Sequence, residues 1–403
     1  MNADALALRL AALAPRRPRR PARSALVVGF NGLGNVGADL RTAALLRRLA
    51  RLPGGGPAVT VALLGPELTS FEGACRVSHL PSEYALSLAA RAVAHDAVIV
   101  SEGCAFSDRS AGLYTLALAL AARQGKAAVA AGVGVSALGV EATARCAERC
   151  EGATLIARDA ASCERLAALG LAATLGADLA WDLGSSHWSL AAETARVERA
   201  LRRAGWNGST PLVALAPGPL RPDGVCGDHD VEAYLDAIAR AFRTAFKRRS
   251  AFALTVAMDP RDLGPAQGLA WRLGAPTLTL RDGGATWLAA LLQRCDVVVS
   301  GRYHAALLGL AGGAATVALA PDERLVGLLR DGSGHVLHVP FDHPILLREP
   351  LEEALVASAH RDAEASTLGL AATATQRARL DETYDALAAA LGYAVGSTSR
   401  DAP

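Results

Sequence analysis

No hydrophobic run in this chain is long enough to cross a bilayer. The longest, TLALALAA and AAVAAGVGV, fall short of the roughly 18 apolar residues that a spanning helix requires. No positive charge precedes the first apolar stretch, so a secretory signal is not expected. Net charge is also lacking: 41 basic against 39 acidic residues leave +2, which gives no argument for a nucleic-acid partner. Lysine is nearly missing, since only Lys126 and Lys247 occur among the basic residues. Such a bias weakens the meaning of any single arginine. Seven cysteines are scattered and odd in number, and Cys146 and Cys150 have no second pair or histidine pair to complete a zinc site. They read as buried or incidental thiols of a reducing cytosol, and no metal is expected.

What is present is an alternation of short apolar runs with amphipathic helices. From Ser24 the pattern predicts strands at 25–30, 58–64, 97–101, 127–133, 153–157 and 173–176. After a polar stretch at 184–210 comes a second series, at 211–216, 251–257, 276–280, 296–300, 314–319 and 335–339. Strand–helix alternation of this kind builds parallel sheets covered on both faces. The fold class is therefore α/β, two Rossmann-like doubly wound domains facing a cleft. The boundaries expected are a disordered basic arm at 1–23, domains at 24–200 and 205–370, and a C-terminal helix and tail at 371–403. The arm opens on a short Ala/Leu helix candidate and continues as PRRPRRPAR, whose alternating proline and arginine cannot pack; such a basic arm is either a solvated tail or touches anionic headgroups.

The most informative segment is Cys295-Asp-Val-Val-Val-Ser-Gly-Arg-Tyr-His304 continuing into AALLGLAGGA. Three valines predict a buried strand, and Ala305 to Leu310 predict a helix stopped by Gly312-Gly313. Ser300, Gly301, Arg302, Tyr303 and His304 then fall where a parallel strand passes into a helix, the crevice in which such sheets bind ligands. Helix-start N–H groups and a guanidinium attract an anion, and imidazoles exchange protons near neutral pH.

Other junctions carry weaker signals. Gly32, Gly34 and Gly37 fit G-x-G-x-x-G, but the second strand ends in Gly65-Pro66 without the acidic residue a nicotinamide ribose requires. The turn either brings backbone N–H groups to a polar ligand or is a bare tight turn. Glu102 and Asp108 come after the strand DAVIVS and suit hydroxyl binding or base chemistry, with Asp108 equally readable as a helix cap. Arg158 points toward the cleft if its junction faces it, and Asp159 reads as a cap. The HxxH near His335 reads as a loop rather than a metal site.

Together these junctions resemble the polysaccharide pyruvyl transferase family. The closing S-x-R-[LY]-H matches Ser300, Arg302, Tyr303 and His304, and the opening GNxGDE aligns with Gly34-Asn35-Val36-Gly37-Ala38-Asp39. The middle R-D/E-x-x-S resembles Arg158 to Ser162, and a DPA-like segment aligns with Asp178-Leu179-Ala180. The chain departs from the pattern at Ala38, where the family has an acid, and the Glu102 segment lacks the usual glycine pair.

The resemblance implies a GT-B-like fold and transfer of pyruvate from phosphoenolpyruvate to a sugar as a ketal, with no cofactor. The acceptor would be a sugar or lipid-linked glycan of the cell envelope or an exopolysaccharide. It further implies that Arg302 and His304 carry the chemistry, and that Arg158, Ser300, Gly301 and Tyr303 bind the donor. Asn35, Gly34, Gly37, Asp39, Glu102 and Asp108 would serve the acceptor. A cytoplasmic location with access to the inner face of the membrane is expected with it. The rival readings are a nucleotide-sugar glycosyltransferase, with Asp322-Glu323 holding the ribose, and a non-catalytic scaffold motivated by the two departures.

Overall fold

The computed structural model describes residues 3–13, 21–66, 75–81, 83–183, 190–218, 231–320, 325, 328, 336–340, 344–359 and 364–394. The chain divides into two compact units. Met1–Leu33, Arg41–Leu179 and Ala378–Pro403 form the first, and Gly34–Leu40 with Ala180–Arg377 form the second.

The first unit holds strands β1 (Ser24–Val28), β2 (Ala58–Leu63), β3 (Arg76–His79), β4 (Ala97–Val100), β5 (Ala127–Val133), β6 (Thr154–Ala157) and β7 (Ala173–Leu175). All pair in parallel, in the order β3-β2-β1-β4-β5-β6-β7. Its helices are α1 (Ala3–Leu13), α2 (Val36–Leu49), whose first turn is counted with the second unit, α3 (Tyr84–Ala94), α4 (Ala111–Arg123), α5 (Val140–Arg149) and α6 (Ala160–Ala168).

The second unit begins with α7 (Ala191–Arg203), β8 (Leu212–Ala216), α8 (Val231–Arg248), β9 (Phe252–Val256), α9 (Leu263–Leu273) and β10 (Thr277–Leu278). It continues with α10 (Leu280–Gly283), α11 (Ala285–Arg294), β11 (Val297–Ser300), α12 (Tyr303–Ala311), β12 (Ala315–Ala320) and β13 (Val336–Pro340). Helix Arg348–Ala359 comes next, then helix Glu364–Ala390, which ends in the first unit. The strand order is β10-β9-β8-β11-β12-β13, again wholly parallel. Each sheet therefore reverses its order beside its own first strand, between β1 and β4 and between β8 and β11.

The composition of the strands reflects where they lie. Central parallel strands are covered on both faces, so they read as unbroken apolar runs rather than as alternation. Every residue of β4 (AVIV) and β8 (LVALA) is buried. Helix α4 is apolar on all sides because α1, α3 and α5 pack around it while its inner face meets β4 and β5. Edge strand β3 (RVSH) is polar and has no apolar run to announce it.

Two expectations need correction. The 1–23 arm is not disordered throughout: its Ala/Leu helix candidate is α1, Ala3–Leu13, whose Ala7, Leu8 and Ala11 enter the core of the first unit. The arginine–proline run at 14–20 lies outside the described residues. The polar stretch at 184–210 contains a full helix, α7, which buries Val197 and Leu201 at a four-residue spacing against α11. Asp322-Glu323 fall outside the described residues, while Leu325 and Leu328 nearby are helical. Among the described residues no helix is long and apolar enough to cross a membrane.

The carboxyl edge of the first sheet is tied together by a buried charge. Arg41, fully buried on α2, donates Nε to the Ser101 carbonyl (3.0 Å) and Nη2 to those of Ala131 (3.2 Å) and Gly132 (2.9 Å). Its Nη1 pairs with Asp178 at 2.5 Å. One guanidinium thus joins the end of β5 to the segments after β4 and β7. Deleting one partner of a buried pair leaves an uncompensated charge. Arg41→Met is expected to lower unfolding free energy by about 3–5 kcal/mol in a denaturant titration. A loss below about 1 kcal/mol would deny the residue this role.

Candidate active site

The site is built at the carboxyl edge of the second sheet. Here the segment after β11 lies beside those after β8 and β9, at the point of order reversal where doubly wound sheets hold ligands. Val297 to Val299 are fully buried and fix the strand. At its end the Ser300 hydroxyl donates to the Arg302 carbonyl (2.8 Å) and accepts the Arg302 N–H (2.9 Å). Ser300 is fully buried and shapes this turn. Gly301 is required because a Cβ there would stand 2.4 Å from the Pro217 carbonyl oxygen of the β8 loop.

Arg302 leaves the turn in extended conformation and starts α12. Its Nε donates to both oxygens of Asp262 (3.0 and 2.9 Å), and Nη2 donates to Oδ1 at 2.5 Å. The fork expected to grip a ligand thus has its side edge on a carboxylate of the same unit. The end edge, Nη1 with the second Nη2 hydrogen, makes no hydrogen bond among the described residues, and Nη2 only approaches Asp259 at 3.9 Å. The Asp262 side chain is wholly buried and accepts the Met258 N–H at 3.2 Å. Burial pushes its carboxyl above the usual aspartate value, against the pull of Arg302.

Asp259 sits in the same β9 loop. It accepts Arg261 Nε (2.8 Å), Arg261 Nη2 (3.0 Å), the Arg261 N–H (3.0 Å) and Asn35 Nδ2 (3.0 Å). Burial alone would raise its pKa, but these bonds, aided by Arg302, outweigh burial and bring it down to about 2. Asn35 uses its other end as a cap, with Oδ1 accepting the Ala38 N–H (2.9 Å). The Val36 N–H bonds the Met258 carbonyl at 3.0 Å. The start of α2 is therefore fastened to the loop that holds Arg302.

His304 lies in the first turn of α12, edge-on to the Tyr303 ring at 5.2 Å. Its imidazole packs on Gly37: a Cβ at that position would fall 2.0 Å from His304 Nδ1. Two segments some 270 positions apart, the Asn35–Gly37 turn and the Arg302–His304 turn, thus meet within one unit. Arg261 and Arg302 are matched by Asp259 and Asp262, so no large net charge accumulates. A guanidinium edge and a helix amino end, such as Arg302 and the start of α12 present, are groups of the kind that favour anions.

The remaining expected residues are placed differently. Asp39, also in the first turn of α2, is 1 % exposed. Glu102 lies in the first unit and accepts the N–H groups of Phe30 (3.0 Å) and Cys104 (3.1 Å). An internal carboxylate thus takes up an N–H of the glycine-rich turn after β1. Asp108 is exposed and accepts the Gly139 N–H at the start of α5 (2.7 Å), so it closes that helix rather than the one after it. Arg158 is buried in the first unit, with Nε on Asp159 (2.9 Å) and Nη1 3.9 Å from Asp178. Its guanidinium is buried. Asp159 caps α6 through the Ser162 N–H, as its position predicts. Cys146 and Cys150 are buried, and burial pushes their thiols up to about 11 and about 12. His335 and His343 lie outside the described residues, and no metal-holding group of His, Cys, Asp and Glu occurs among those described.

Asp259 and Asp262 carry no motif that marks them in the sequence. The available signal is positional: Asp-Pro-Arg-Asp stands directly after the apolar run of β9, where a sheet of this kind presents its loops.

The class this fold defines is the two-domain Rossmann-like, GT-B-like α/β architecture. UDP-GlcNAc 2-epimerase from Methanocaldococcus jannaschii superposes with a TM-score of 0.57 at 10% identity, over 88% of this chain and 98% of that one. The same enzyme from Neisseria meningitidis gives 0.55 at 11% identity, over 89% and 100%. A glycosyltransferase from Rickettsia africae gives 0.54 at 11%, over 90% and 96%. At such identities the likeness concerns the fold. Comparison with curated proteins yields no match. The family model for polysaccharide pyruvyl transferase matches residues 35–323, from Asn35 past the Arg302–His304 turn. The chain belongs to that family.

The geometry makes two testable demands. Gly37→Ala should displace the His304 ring, seen as a shift of its imidazole NMR signals with little change in global unfolding; unchanged signals would remove the contact. Asp259 should titrate with a midpoint of about 2 by carboxyl NMR, and Asn35→Ala should move it up toward the ordinary 3.8. Because the folded value is depressed, its contribution to stability is full above the unfolded value and is lost as pH falls from about 4 through about 2. A midpoint near 4 in the wild type would contradict the bonding described.

Proposed function

We propose that this chain transfers the pyruvyl group of phosphoenolpyruvate to two hydroxyls of one sugar in an envelope or exopolysaccharide glycan, forming a cyclic ketal and releasing phosphate. Membership of the family supports a transferase of polysaccharide synthesis. The observation that carries the finer reading is the meeting of the Arg302–His304 turn with the Asn35–Gly37 turn, where an arginine edge, an imidazole and two helix amino ends converge.

Phosphoenolpyruvate is a small polyanion, and those groups suit its phosphate and carboxylate. Its methylene carbon must take a proton before the neighbouring carbon becomes electrophilic. His304 is the acid for that step. The first sugar hydroxyl then bonds to the electrophilic carbon, and the imidazole takes up the proton that hydroxyl loses. Next the bond from that carbon to the phosphate oxygen breaks, and phosphate departs with the electron pair. The second hydroxyl closes the ketal, and its proton balances the phosphate. Arg302 stabilises the charge on the leaving phosphate. An enol phosphate carries its own activation, so the sequence of steps calls for no cofactor.

Phosphoenolpyruvate should raise the unfolding temperature of the purified chain, since a ligand of the folded state stabilises it by mass action, whereas nucleotide sugars should not. In a phosphate-release assay with candidate glycans, Arg302→Ala and His304→Ala should each lose about 100-fold or more in kcat/KM while remaining folded. Arg302→Lys should also be costly, because a point charge cannot serve Asp262 and an anion through two edges. Wild-type rates from either alanine variant, or stabilisation by a nucleotide sugar in place of phosphoenolpyruvate, would overturn the reading.

A further inference from the structure

Tryptophan is used in two ways in this chain. Trp181, Trp206 and Trp287 are 3–4% exposed, whereas Trp271, near the end of α9, is 83% exposed. A core indole stabilises the fold through the area it removes from water, and Trp271 removes little. Gly264, Gln267 and Trp271 follow one another at three- and four-residue spacing, so they share one face of α9, with Gly274 at its end. All four are exposed. A Cβ at Gly264 or Gly274 would meet nothing within 4 Å, which leaves the surface on either side of the indole clear among the described residues.

Beside the ring, the Arg272 guanidinium stands 5.8 Å from its centre. Arg272 is fixed by donating Nε to Asp236 (2.6 Å), Nη2 to Glu232 (2.5 Å) and Nη1 to the Gly268 carbonyl (3.0 Å). Both carboxylates belong to the first turns of α8 and are more than half exposed. An open indole among fixed carboxylates, a guanidinium and an amide suits few partners. Anionic headgroups and nucleic-acid phosphates would meet Glu232 and Asp236. Hydrocarbon or the core of a protein interface would call for aliphatic neighbours, and the other exposed large apolar side chain of α9, Leu263, is eight positions away. A pyranose fits: its C–H face packs on the negatively polarised face of the ring. Its hydroxyls donate and accept, as carboxylates, guanidinium and amide require.

Placement along α9 decides which sugar of a chain would sit here. Trp271 is nine positions from Asp262, roughly 13 Å along the helix, which is too far to hold a sugar reacting beside Arg302. We propose that Trp271, with Gln267, Arg272, Glu232 and Asp236, binds a glycan chain at a point remote from its reacting residue. The inference rests on the acceptor being a glycan and not on the identity of the donor.

The test is native electrophoresis of the full chain through gels containing a soluble β-glucan, a galactan or a galactomannan, against a gel without polysaccharide. Wild type should be retarded in at least one of the three. Trp271→Ala should raise the apparent dissociation constant there by about tenfold or more with unfolding unchanged, because the side chain is exposed. Trp271→Phe should recover part of the retardation, since a smaller ring still offers a face. Calorimetric binding of phosphoenolpyruvate should be the same in Trp271→Ala as in wild type; its failure in both would overturn the proposed donor and leave the retardation standing. No retardation of wild type in any of the three gels, or equal retardation of Trp271→Ala, would overturn the glycan site.

Discussion

The Arg302–Asp262 pair, with its carboxylate wholly buried, is the interaction on which the site depends. A guanidinium at the mouth of a parallel sheet has many rotamers, and most of them point away from a ligand. Asp262 selects one by taking the Nε–Nη2 edge, and Met258 and Arg302 together hold the carboxylate in place. The same β9 loop binds Asn35, which caps α2, and Gly37 of that helix receives the His304 ring. These contacts link the β9 loop, the start of α2 and the turn after β11 in one chain of side-chain bonds.

The first unit uses the same physics at the corresponding edge of its own sheet. There Arg41 bridges three backbone carbonyls and Asp178, and Arg158 lies nearby on Asp159. Both arginines are buried and engaged, and Glu102 has its two oxygens on backbone N–H groups. That edge is built for rigidity. In the second unit one edge of Arg302 stays clear of the described residues, and His304 stands in the first turn of α12 beside it.

Local pattern carries the strands, because fully buried parallel strands write themselves as apolar runs: Val297 to Val299 announce β11, and Gly312-Gly313 mark the end of its helix. The Arg302–His304 turn is legible for the same reason, as a junction between two strong signals. Asp262 is not, since it reads as the first residue of an ordinary helix and its partner lies 40 positions away. Arg41 is hidden among the chain's many arginines, and β3 is hidden by its polarity. Glu102 and Asp108 stand out by position, but their bonding to N–H groups 72 and 31 positions away depends on tertiary placement that no spacing encodes. The buried half of α1 is masked in the sequence by the proline- and arginine-rich residues immediately C-terminal to it.

The most direct test is calorimetric titration of phosphoenolpyruvate into the wild type, Asp262→Asn, Arg302→Ala and the double variant. Removing a negative charge beside an anion site would tighten binding if net charge alone governed it. Positioning predicts the reverse: Asp262→Asn weakens binding by about tenfold or more, and the double variant is no worse than Arg302→Ala. Tighter binding by Asp262→Asn, or additive losses in the double variant, would contradict the account.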